Sequence, residues 1–403
     1  MRYIGNKTKL LGFIGSVIDA LGVTRGRAAD AFAGTASAAQ YLKRRGFTVE
    51  SCDIMSYSYA LQRACVQLDA LPDFRPLLAS DAEVASVCRR TDFQATVASR
   101  FGSQRDLFGH GPDLSELGQI LVFLDSFLEP LSTFITREYS ALQSGESPEA
   151  RMFFTESNGR RIDAIRTRLH DWLRAETLTP DAFFLLLTCL IEGADSVANT
   201  TGVYAAFVKT WQSNAVKPLR LRLPDIVTDT GLACRAHQGD ANLFVRDLPP
   251  VDLLYLDPPY NTRQYSSYYH VPEVIAEGWF GGEPAVRGKT GLIPDEHKKS
   301  NWSIQGECEA AFRDLIAHSE ARYVLLSYNN EGIIPTETVD DVFREFGREG
   351  TLRTFTRDYS RYRSDRDHDQ RVYKGDVVTE YVYAVELDRA AARLRPAGTR
   401  AAG

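Results

Sequence analysis

A continuous apolar run late in the chain constrains the fold more than any other segment. In the stretch VDLLYLDPPY, residues 251–260, the apolar residues 253–256 lead directly into Asp257 and two prolines. A strand without polar alternation is typical of a parallel sheet that helices cover on both faces. Because proline fixes φ and restricts the residue before it, the two prolines hold Asp257 in one geometry where the strand becomes a loop.

A β-α-β pattern near the N-terminus points to the same kind of sheet. We predict a helix over residues 6–21, a short strand over 29–34, a helix over 35–45 and a strand over 47–53 that ends in an acid. Units of this kind imply parallel strands.

Helical signals dominate residues 72–216, and strand patterns return after Leu219. In the helical block we predict helices over 114–128 and 160–174, and a third that begins with Thr179 as its cap and Pro180 in its first turn. Further strands are predicted over 232–237, 323–327, 352–359 and 377–387, further helices over 268–277, 307–318 and 338–346, and a mobile loop over 281–303.

The order of these elements predicts an α/β fold whose sheet domain is split in sequence. Residues 1–70 and 228–390 would form this domain, and residues 71–227 a mainly helical insertion. The Ala/Arg-rich residues 391–403 would form a flexible tail.

Composition excludes several classes of protein. Apolar residues are 44% and charged residues 25% of the chain, as in ordinary globular proteins. The six cysteines form no CxxC pair, so neither a metal site nor a disulfide framework is predicted, which fits a reducing compartment. Met1 leads into RYIGNKTKLL, which is not a signal-peptide pattern, and the apolar run over 183–191 is too short to span a bilayer. We therefore expect a cytoplasmic protein without a membrane partner.

The net charge of −6 argues mildly against a nucleic-acid partner, but its distribution matters more. Residues 209–222 carry four basic residues and no acidic one, and residues 353–374 carry seven basic against four acidic. Each stretch is equally consistent with a solvated face and with a phosphate-binding surface.

Acids and a glycine fall where the predicted parallel strands end, which is where open α/β sheets bind ligands. These residues are Asp30, Gly34, Asp53, Asp240 and Asp257. Glycine lets backbone approach a ligand closely, and an acid after the second strand can accept hydrogen bonds from ribose hydroxyls. The motif is not GxGxxG, and Lys7 is not in a Walker sequence, which disfavours a nicotinamide dinucleotide or a nucleoside triphosphate.

The Asp-Pro-Pro-Tyr stretch itself suggests a substrate. Asp257 and the carbonyl of Pro258 are two acceptors, complementary to an NH₂ group, and Tyr260 offers a flat face beside them. Proline pairs also occur in turns without function, but this pair follows a buried-type strand. A planar base with an exocyclic amine would fit, and the two acceptors would aim the amine's lone pair at an electrophile without a metal.

With its surrounding motifs, the stretch resembles the catalytic motif of adenine-specific DNA amino-methyltransferases of the alpha arrangement, found in type II restriction-modification systems. The similar segments are RYIGNKTKLL (2–11), DAFAGTASAA (30–39), SCDIMSYS (51–58), QGDA (238–241), DPPY (257–260), NTRQYSSYYHVPEVIA (261–276) and LLSYNNEG (325–332). The commonest form of the first-strand motif is DPFxGxG, from which this chain departs at Ala31 and Ala36.

The resemblance implies a Rossmann-like sheet that binds S-adenosylmethionine, without a metal, and methylates an adenine flipped out of duplex DNA. Asp257, Pro258 and Tyr260 would hold the adenine. The implied cofactor residues are Tyr3 and Lys7 at the methionine end, Asp30, Phe32 and Gly34 around the methionine and ribose, Asp53 at the ribose hydroxyls and Asp240 at the adenine amine.

The same resemblance implies double-stranded DNA as partner and makes a cognate restriction endonuclease a candidate partner. Candidate phosphate contacts are Lys209, Lys217, Arg220, Arg222, Arg361 and Arg363, with the predicted helix over 160–174 as a third basic surface. Two alternatives stay open. The enzyme could act on another amine, in DNA cytosine, RNA adenine or a protein glutamine, or the chain could be a non-catalytic DNA-binding subunit with a vestigial cofactor pocket.

Overall fold

The structure, a computed structural model, describes residues 1–101, 115–141, 151–360 and 377–388. The chain divides into two compact units that interleave in sequence. The helical unit contains Met1–Ile4, Arg63–Asp229 and Ser267–Pro294, and the sheet unit contains Gly5–Gln62, Thr230–Ser266 and the residues from Asp295 onward. The sequence pattern instead predicts residues 1–4, 63–70, 228–229 and 267–294 in the sheet domain.

The described residues form nine strands and fifteen α-helices. The strands are β1 (Gly26–Asp30), β2 (Phe47–Asp53), β3 (Ser140–Ala141), β4 (Phe154–Thr155), β5 (Arg235–Gln238), β6 (Val251–Leu256), β7 (Ala321–Asn329), β8 (Arg353–Ser360) and β9 (Val377–Glu386). The helices are α1 (Leu11–Ala20), α2 (Ser37–Arg44), α3 (Ser56–Gln62), α4 (Arg75–Ser80), α5 (Ala82–Cys88), α6 (Thr91–Phe101), α7 (Ser115–Val122), α8 (Phe134–Tyr139), α9 (Glu156–Arg174), α10 (Pro180–Val197), α11 (Ala241–Asp247), α12 (Tyr265–Tyr268), α13 (His270–Glu277), α14 (Cys308–His318) and α15 (Thr336–Phe346). Short π-helical segments follow α3 and α7, at Arg63–Gln67 and Phe123–Phe127.

Seven strands of the sheet unit form one mostly parallel sheet in the order β5-β2-β1-β6-β7-β9-β8. The strands from β5 to β7 are parallel, whereas β9 runs antiparallel to both β7 and β8. The strand order reverses between β1 and β6, where Asp30 lies opposite Tyr255. A reversal of this kind opens a crevice at the carboxyl ends of the two strands, which is the usual ligand site of such sheets.

The apolar run over residues 253–256 lies at the centre of the sheet. Leu254 and Leu256 of β6 pack with Val324 of β7 and with Phe312 and Phe343 of α14 and α15 in one buried cluster. Each such side chain contributes about 1.5–3 kcal/mol by leaving water. Leu253 and Tyr255, which alternate with them along the strand, are buried as well, so burial on both faces explains the continuous apolar pattern of β6.

The helical unit is organised around α9 and α10. Thr179 caps α10 by accepting a hydrogen bond from the Ala182 amide (3.3 Å), with Pro180 in the first turn as expected. Asp163 of α9 is fully buried and accepts the backbone N–H groups of Thr133, Ile135 and Thr136, which fixes the start of α8. Among the described residues, no helix is long and apolar enough to cross a membrane.

The first strand and first helix begin at other residues than the sequence pattern indicates. The strand is Gly26–Asp30 rather than 29–34, because the small and charged residues of GRAAD become a strand only through pairing with β2 and β6. After Asp30 the chain leaves the sheet and enters a loop in which Gly34 and Ala36 take positive φ values of 51° and 61°. The helix begins at Leu11 rather than residue 6 because the Asn6 side chain instead accepts the Thr8 amide in a turn.

The segment 281–303, predicted as a loop, contains ordered elements. Two 3₁₀ helices lie at Glu296–Lys298 and Asn301–Ser303. Trp302 is only 1% exposed and belongs to the core of the sheet unit. The many glycines and charged residues of this segment predict a loop, although the segment also contributes Trp302 to the core.

Candidate active site

The carboxyl ends of β1, β2 and β6 bring three acids to the same edge of the sheet. Asp30 is the last residue of β1, Asp53 the last of β2, and Asp257 follows β6 directly. The strands that carry them are neighbours in the sheet, with β1 between β2 and β6. The expected convergence of these residues at the topological switch point is therefore seen.

Asp257 belongs to a group of four side chains, Lys7, Asp257, Tyr260 and Glu380, which we call the lysine cluster; Lys7 and Glu380 are buried, and Asp257 and Tyr260 are partly exposed. Lys7 Nζ lies 3.4 Å from Asp257 Oδ1 and 3.3 Å from Glu380 Oε2, and it also donates to the Tyr260 hydroxyl. The Tyr260 hydroxyl in turn donates to Asp257 Oδ1 at 2.6 Å. One carboxylate oxygen of the motif is thus held by two donors.

Burial raises the pKa of Asp257 to about 6. Lys7 and the Tyr260 hydroxyl act in the opposite direction and lower this pKa, whereas the charge of Glu380 raises it further. Asp257 therefore ionises just below neutral pH, so that its carboxylate is able to accept a proton at physiological pH.

Tyr260 is fixed on its other side by the neighbouring strand. Its ring lies edge-on to Tyr328, with centroids 4.9 Å apart, and its hydroxyl lies 3.3 Å from the Ser327 carbonyl oxygen. Burial and the nearby charges of Asp257 and Glu380 raise the pKa of Tyr260 well above its usual value. The phenol therefore stays protonated and remains a hydrogen-bond donor. Pro258, which follows Asp257 in sequence, is buried.

Glu380 was not found by sequence reasoning. It lies on β9, opposite Asn329 of β7, in a strand whose sequence alternates. An acid in an alternating strand is ordinarily placed on the solvent face. Only the antiparallel addition of β9 to the parallel sheet turns Glu380 toward Lys7.

Asp30 is 1% exposed and has one oxygen without a protein partner. Its Oδ1 accepts the Phe32 amide at 3.3 Å, whereas Oδ2 receives no hydrogen bond. Burial, together with the charges of Asp257 and Asp53, raises the pKa of Asp30 to about 8. A buried orphan acceptor is costly unless a ligand satisfies it.

Asp53 organises the loop after β1. Its Oδ2 accepts the Gly34 amide at 2.8 Å and its Oδ1 accepts the Met55 amide at 2.9 Å. Positive φ at Gly34 is reached without cost because glycine has no Cβ, whereas Ala36 adopts the same region with strain. Ala36 stands where the motif DPFxGxG has its second glycine. Its backbone conformation is one that favours glycine.

Asp240 begins α11 and lies at a cavity of about 460 Å³. Its Oδ1 caps the helix by accepting the amides of Asn242 and Leu243, at 2.9 and 3.2 Å. Trp302 forms part of the cavity wall and packs edge-on against Phe32, with centroids 4.8 Å apart. Trp302 therefore links the predicted residues Phe32 and Asp240, although no sequence pattern selects it.

Other predicted residues lie in the helical unit. Tyr3 stacks on Tyr269, with ring centroids 4.7 Å apart. The side chains of Lys209, Lys217, Arg220 and Arg222 are exposed. Arg361 and Arg363 lie outside the described residues.

Several basic side chains of residues 160–174, predicted as a basic surface, make contacts within the helical unit. Arg160 pairs with Glu156 and Arg168 with Glu83. Arg166 is buried and donates to the Ile275 carbonyl oxygen at the end of α13. Most of these arginines are therefore structural, which removes much of the third basic surface.

An exposed tip in the helical unit is held by one buried asparagine. The fully buried Asn199 donates from Nδ2 to the Val208 carbonyl oxygen (2.8 Å), and its Oδ1 accepts the Gln212 amide (3.0 Å). The side chains between these anchors, Lys209, Thr210 and Trp211, are exposed. The result is a fixed backbone that presents a cation and an indole.

A family model described as D12 class N6 adenine-specific DNA methyltransferase matches residues 3–90 and 118–340 of the chain. The type II methyltransferase M.NlaIII of Neisseria lactamica is 34% identical over 282 residues, which are 70% of this chain and 80% of that protein. The type II methyltransferase M.FokI of Planomicrobium okeanokoites is 30% identical over 96% of this chain and 53% of its own length. The modification methylase StsI of Streptococcus sanguinis is 29% identical over 90% of this chain and 49% of its own length. The chain thus spans about half the length of the latter two relatives.

Proposed function

The chain belongs to the D12 class of N6 adenine-specific DNA methyltransferases, and we propose that its sheet unit, as a Rossmann-like methyltransferase domain, methylates the exocyclic amine of a flipped-out adenine in duplex DNA. The observation that carries this assignment is the lysine cluster at the switch point of the sheet. It holds the Asp257 carboxylate largely buried, ionisable near neutral pH and fixed by two donors.

The family implies S-adenosylmethionine as methyl donor, and the residues present fit it. The orphan Oδ2 of buried Asp30 suits the cationic amine at the methionine end of this molecule. Gly34 has no Cβ to hinder close approach, Asp53 would accept hydrogen bonds from the ribose hydroxyls, and the cavity at Asp240 would hold the adenine ring. When bound, S-adenosylmethionine supplies an electrophilic methyl group.

The chain's own groups position the target amine. Asp257, through Oδ2, and the Pro258 carbonyl accept the two N–H bonds of the amine, which draws its lone pair out of conjugation with the ring. Tyr260 and Lys7 hold the other Asp257 oxygen, so the acceptor is preorganised before the base arrives. Asp257 then takes the proton that the amine loses.

Lys7 has a different role here from the one that the sequence resemblance implies. The resemblance implied that Lys7 binds the cofactor carboxylate. In the structure its ammonium group lies between two protein carboxylates and is only 4% exposed. We therefore assign Lys7 to the orientation of Asp257.

The helical unit is proposed to bind the DNA. Lys209, Lys217, Arg220 and Arg222 would contact phosphates, and the Asn199-anchored tip would place Trp211 against a base. These contacts would offset the cost of flipping the adenine, about a few kcal/mol.

The names of the relatives suggest a biological setting. Two are called type II methyltransferases and one a modification methylase. We infer that this chain modifies host DNA in a type II restriction-modification system, with a cognate endonuclease as its counterpart.

Expression in a methylation-free host, followed by sequencing of the genomic DNA for modified bases, tests the proposal. We expect N6-methyladenine at one recurring sequence, and Asp257→Ala should abolish it while calorimetry still detects S-adenosylmethionine binding. Asp252→Ala, near the start of β6, controls for the loss of an aspartate close to an end of this strand. Methylation of cytosine or RNA, or near-normal activity of Asp257→Ala, would contradict the assignment.

A further inference from the structure

Glu380 lies outside every motif of the chain, yet it contacts the same lysine as the catalytic aspartate. The side chains of Lys7 and Glu380 are 4% and 9% exposed, and their charged atoms are 3.3 Å apart. With Asp257 on the other side of Nζ, the lysine cluster contains two carboxylates and one ammonium. When all three are ionised, the cluster carries one net negative charge.

Glu380 is a second carboxylate partner for Lys7, which already pairs with Asp257. A buried charge needs one partner, and Lys7 and Asp257 satisfy each other. A lysine paired with Asp257 alone would cancel its charge and weaken it as an acceptor. A carboxylate on the far side of Nζ counters this effect, because it offsets the field of the ammonium at Asp257.

We propose that Glu380 is a positioning residue for methyl transfer, which holds the Lys7 ammonium against Tyr260 and preserves Asp257 as a proton acceptor. The inference rests on the proposed function. In the step it serves, the adenine amine nitrogen forms a bond to the methyl carbon, and the bond from that carbon to the donor sulfur breaks with its electron pair left on sulfur. One N–H proton of the resulting cation then passes to Asp257.

The contacts predict opposite effects of the two neighbours of Asp257. Glu380 raises the pKa of Asp257, whereas Lys7 lowers it. Glu380→Gln keeps an acceptor for Lys7 but removes the charge, so Asp257 should become more acidic and a poorer base. Two charges within about 7 Å in a partly shielded site change a pKa by about one to two units.

The experiment measures methylation of duplex DNA against pH for the full chain and for Glu380→Gln, with Glu386→Gln as the matched control. Glu386 lies on the same strand β9 and is also ion-paired, with Arg322 and Arg348. A second readout, carbon-13 NMR of labelled aspartate in the protein without ligands, follows the Asp257 carboxyl directly. Thermal melting verifies that each variant folds.

We expect Glu380→Gln to lower kcat about tenfold or more, with the KM for S-adenosylmethionine within about twofold. The acid limb of its pH profile and the NMR titration of Asp257 should both move to lower pH by about one unit, and Lys7→Met should move the titration to higher pH. Glu386→Gln should match the wild type in its kinetic constants, its pH profile and its NMR titration.

An unshifted titration of Asp257 in folded Glu380→Gln overturns the inference, whether or not activity falls. If Glu380→Gln does not fold, the Lys7→Met titration decides alone, and its failure to move upward has the same consequence. A wild-type chain that methylates no adenine would instead defeat the proposed function, so the two failures remain distinct.

Discussion

Replacement of Asp30 by asparagine should change the pH dependence of stability. The Asp30 side chain is 1% exposed, and burial raises its pKa to about 8, against about 4 in an unfolded chain. Between these pH values the native state keeps the proton and the unfolded chain has lost it. Unfolding therefore releases a proton, and the free energy of unfolding falls as pH rises from about 4 to about 8.

The size of the effect follows from the same pKa. Each pH unit over which one proton is released on unfolding costs about 1.4 kcal/mol, so the wild type should lose about 2 kcal/mol between pH 6 and pH 8. Asparagine is neutral and similar in shape to protonated aspartate. Asp30→Asn should remove this slope and be the more stable protein at pH 8 by a few kcal/mol.

Urea denaturation of the ligand-free protein at pH 6, 7 and 8 measures these free energies. Asp341→Asn, at a side chain that is 71% exposed, controls for the exchange itself. Comparison of each variant with the wild type at the same pH cancels the contributions of other titrating groups. An Asp30→Asn variant that retains the wild-type slope would refute the reasoning that Asp30 is held protonated by burial.

Three further predictions concern the helical unit. Lys217→Ala should weaken DNA binding uniformly across sequences and reduce the slope of log affinity against log salt by about 1, measured by fluorescence anisotropy. DNA should quench tryptophan emission through Trp211, since the chain's other three tryptophans are all less than 8% exposed, and Trp211→Ala should cost about 1–3 kcal/mol of binding. Gly193→Ala should lower the free energy of unfolding by about 1–3 kcal/mol, because its new Cβ would lie 2.6 Å from the Arg220 carbonyl oxygen.

Each of these predictions has its control. Arg75→Ala removes an exposed arginine that is already paired with Asp73, so the salt slope should stay unchanged. Trp211→Phe should abolish the quenching, and quenching that persists would show that another tryptophan reports the binding. Gly12→Ala adds a Cβ with no atom within 4 Å, so a loss of stability there equal to that of Gly193→Ala would refute the clash.

The sequence predicted the parallel core and much of the site because these features are local. The strand Phe47–Asp53 was predicted to the residue, since its alternation and terminal acid lie in one segment. The same patterns predict that the acids at the strand ends lie close together, because the carboxyl ends of parallel strands lie at one edge of the sheet. The predicted position of the first strand was wrong. The short sequence Gly26–Asp30 forms a strand only because it pairs with β2 and β6.

By itself, the sequence determined that this chain builds a sheet with a parallel core, that Asp257 directly follows its central strand, and that two prolines fix that residue. Only the tertiary structure decided what surrounds it. Lys7 and Glu380 are 373 positions apart, and they meet because β9 joins the sheet antiparallel to β7. The protonation of Asp30 and the near-neutral pKa of Asp257 depend on burial and on distant charges, which no local pattern encodes.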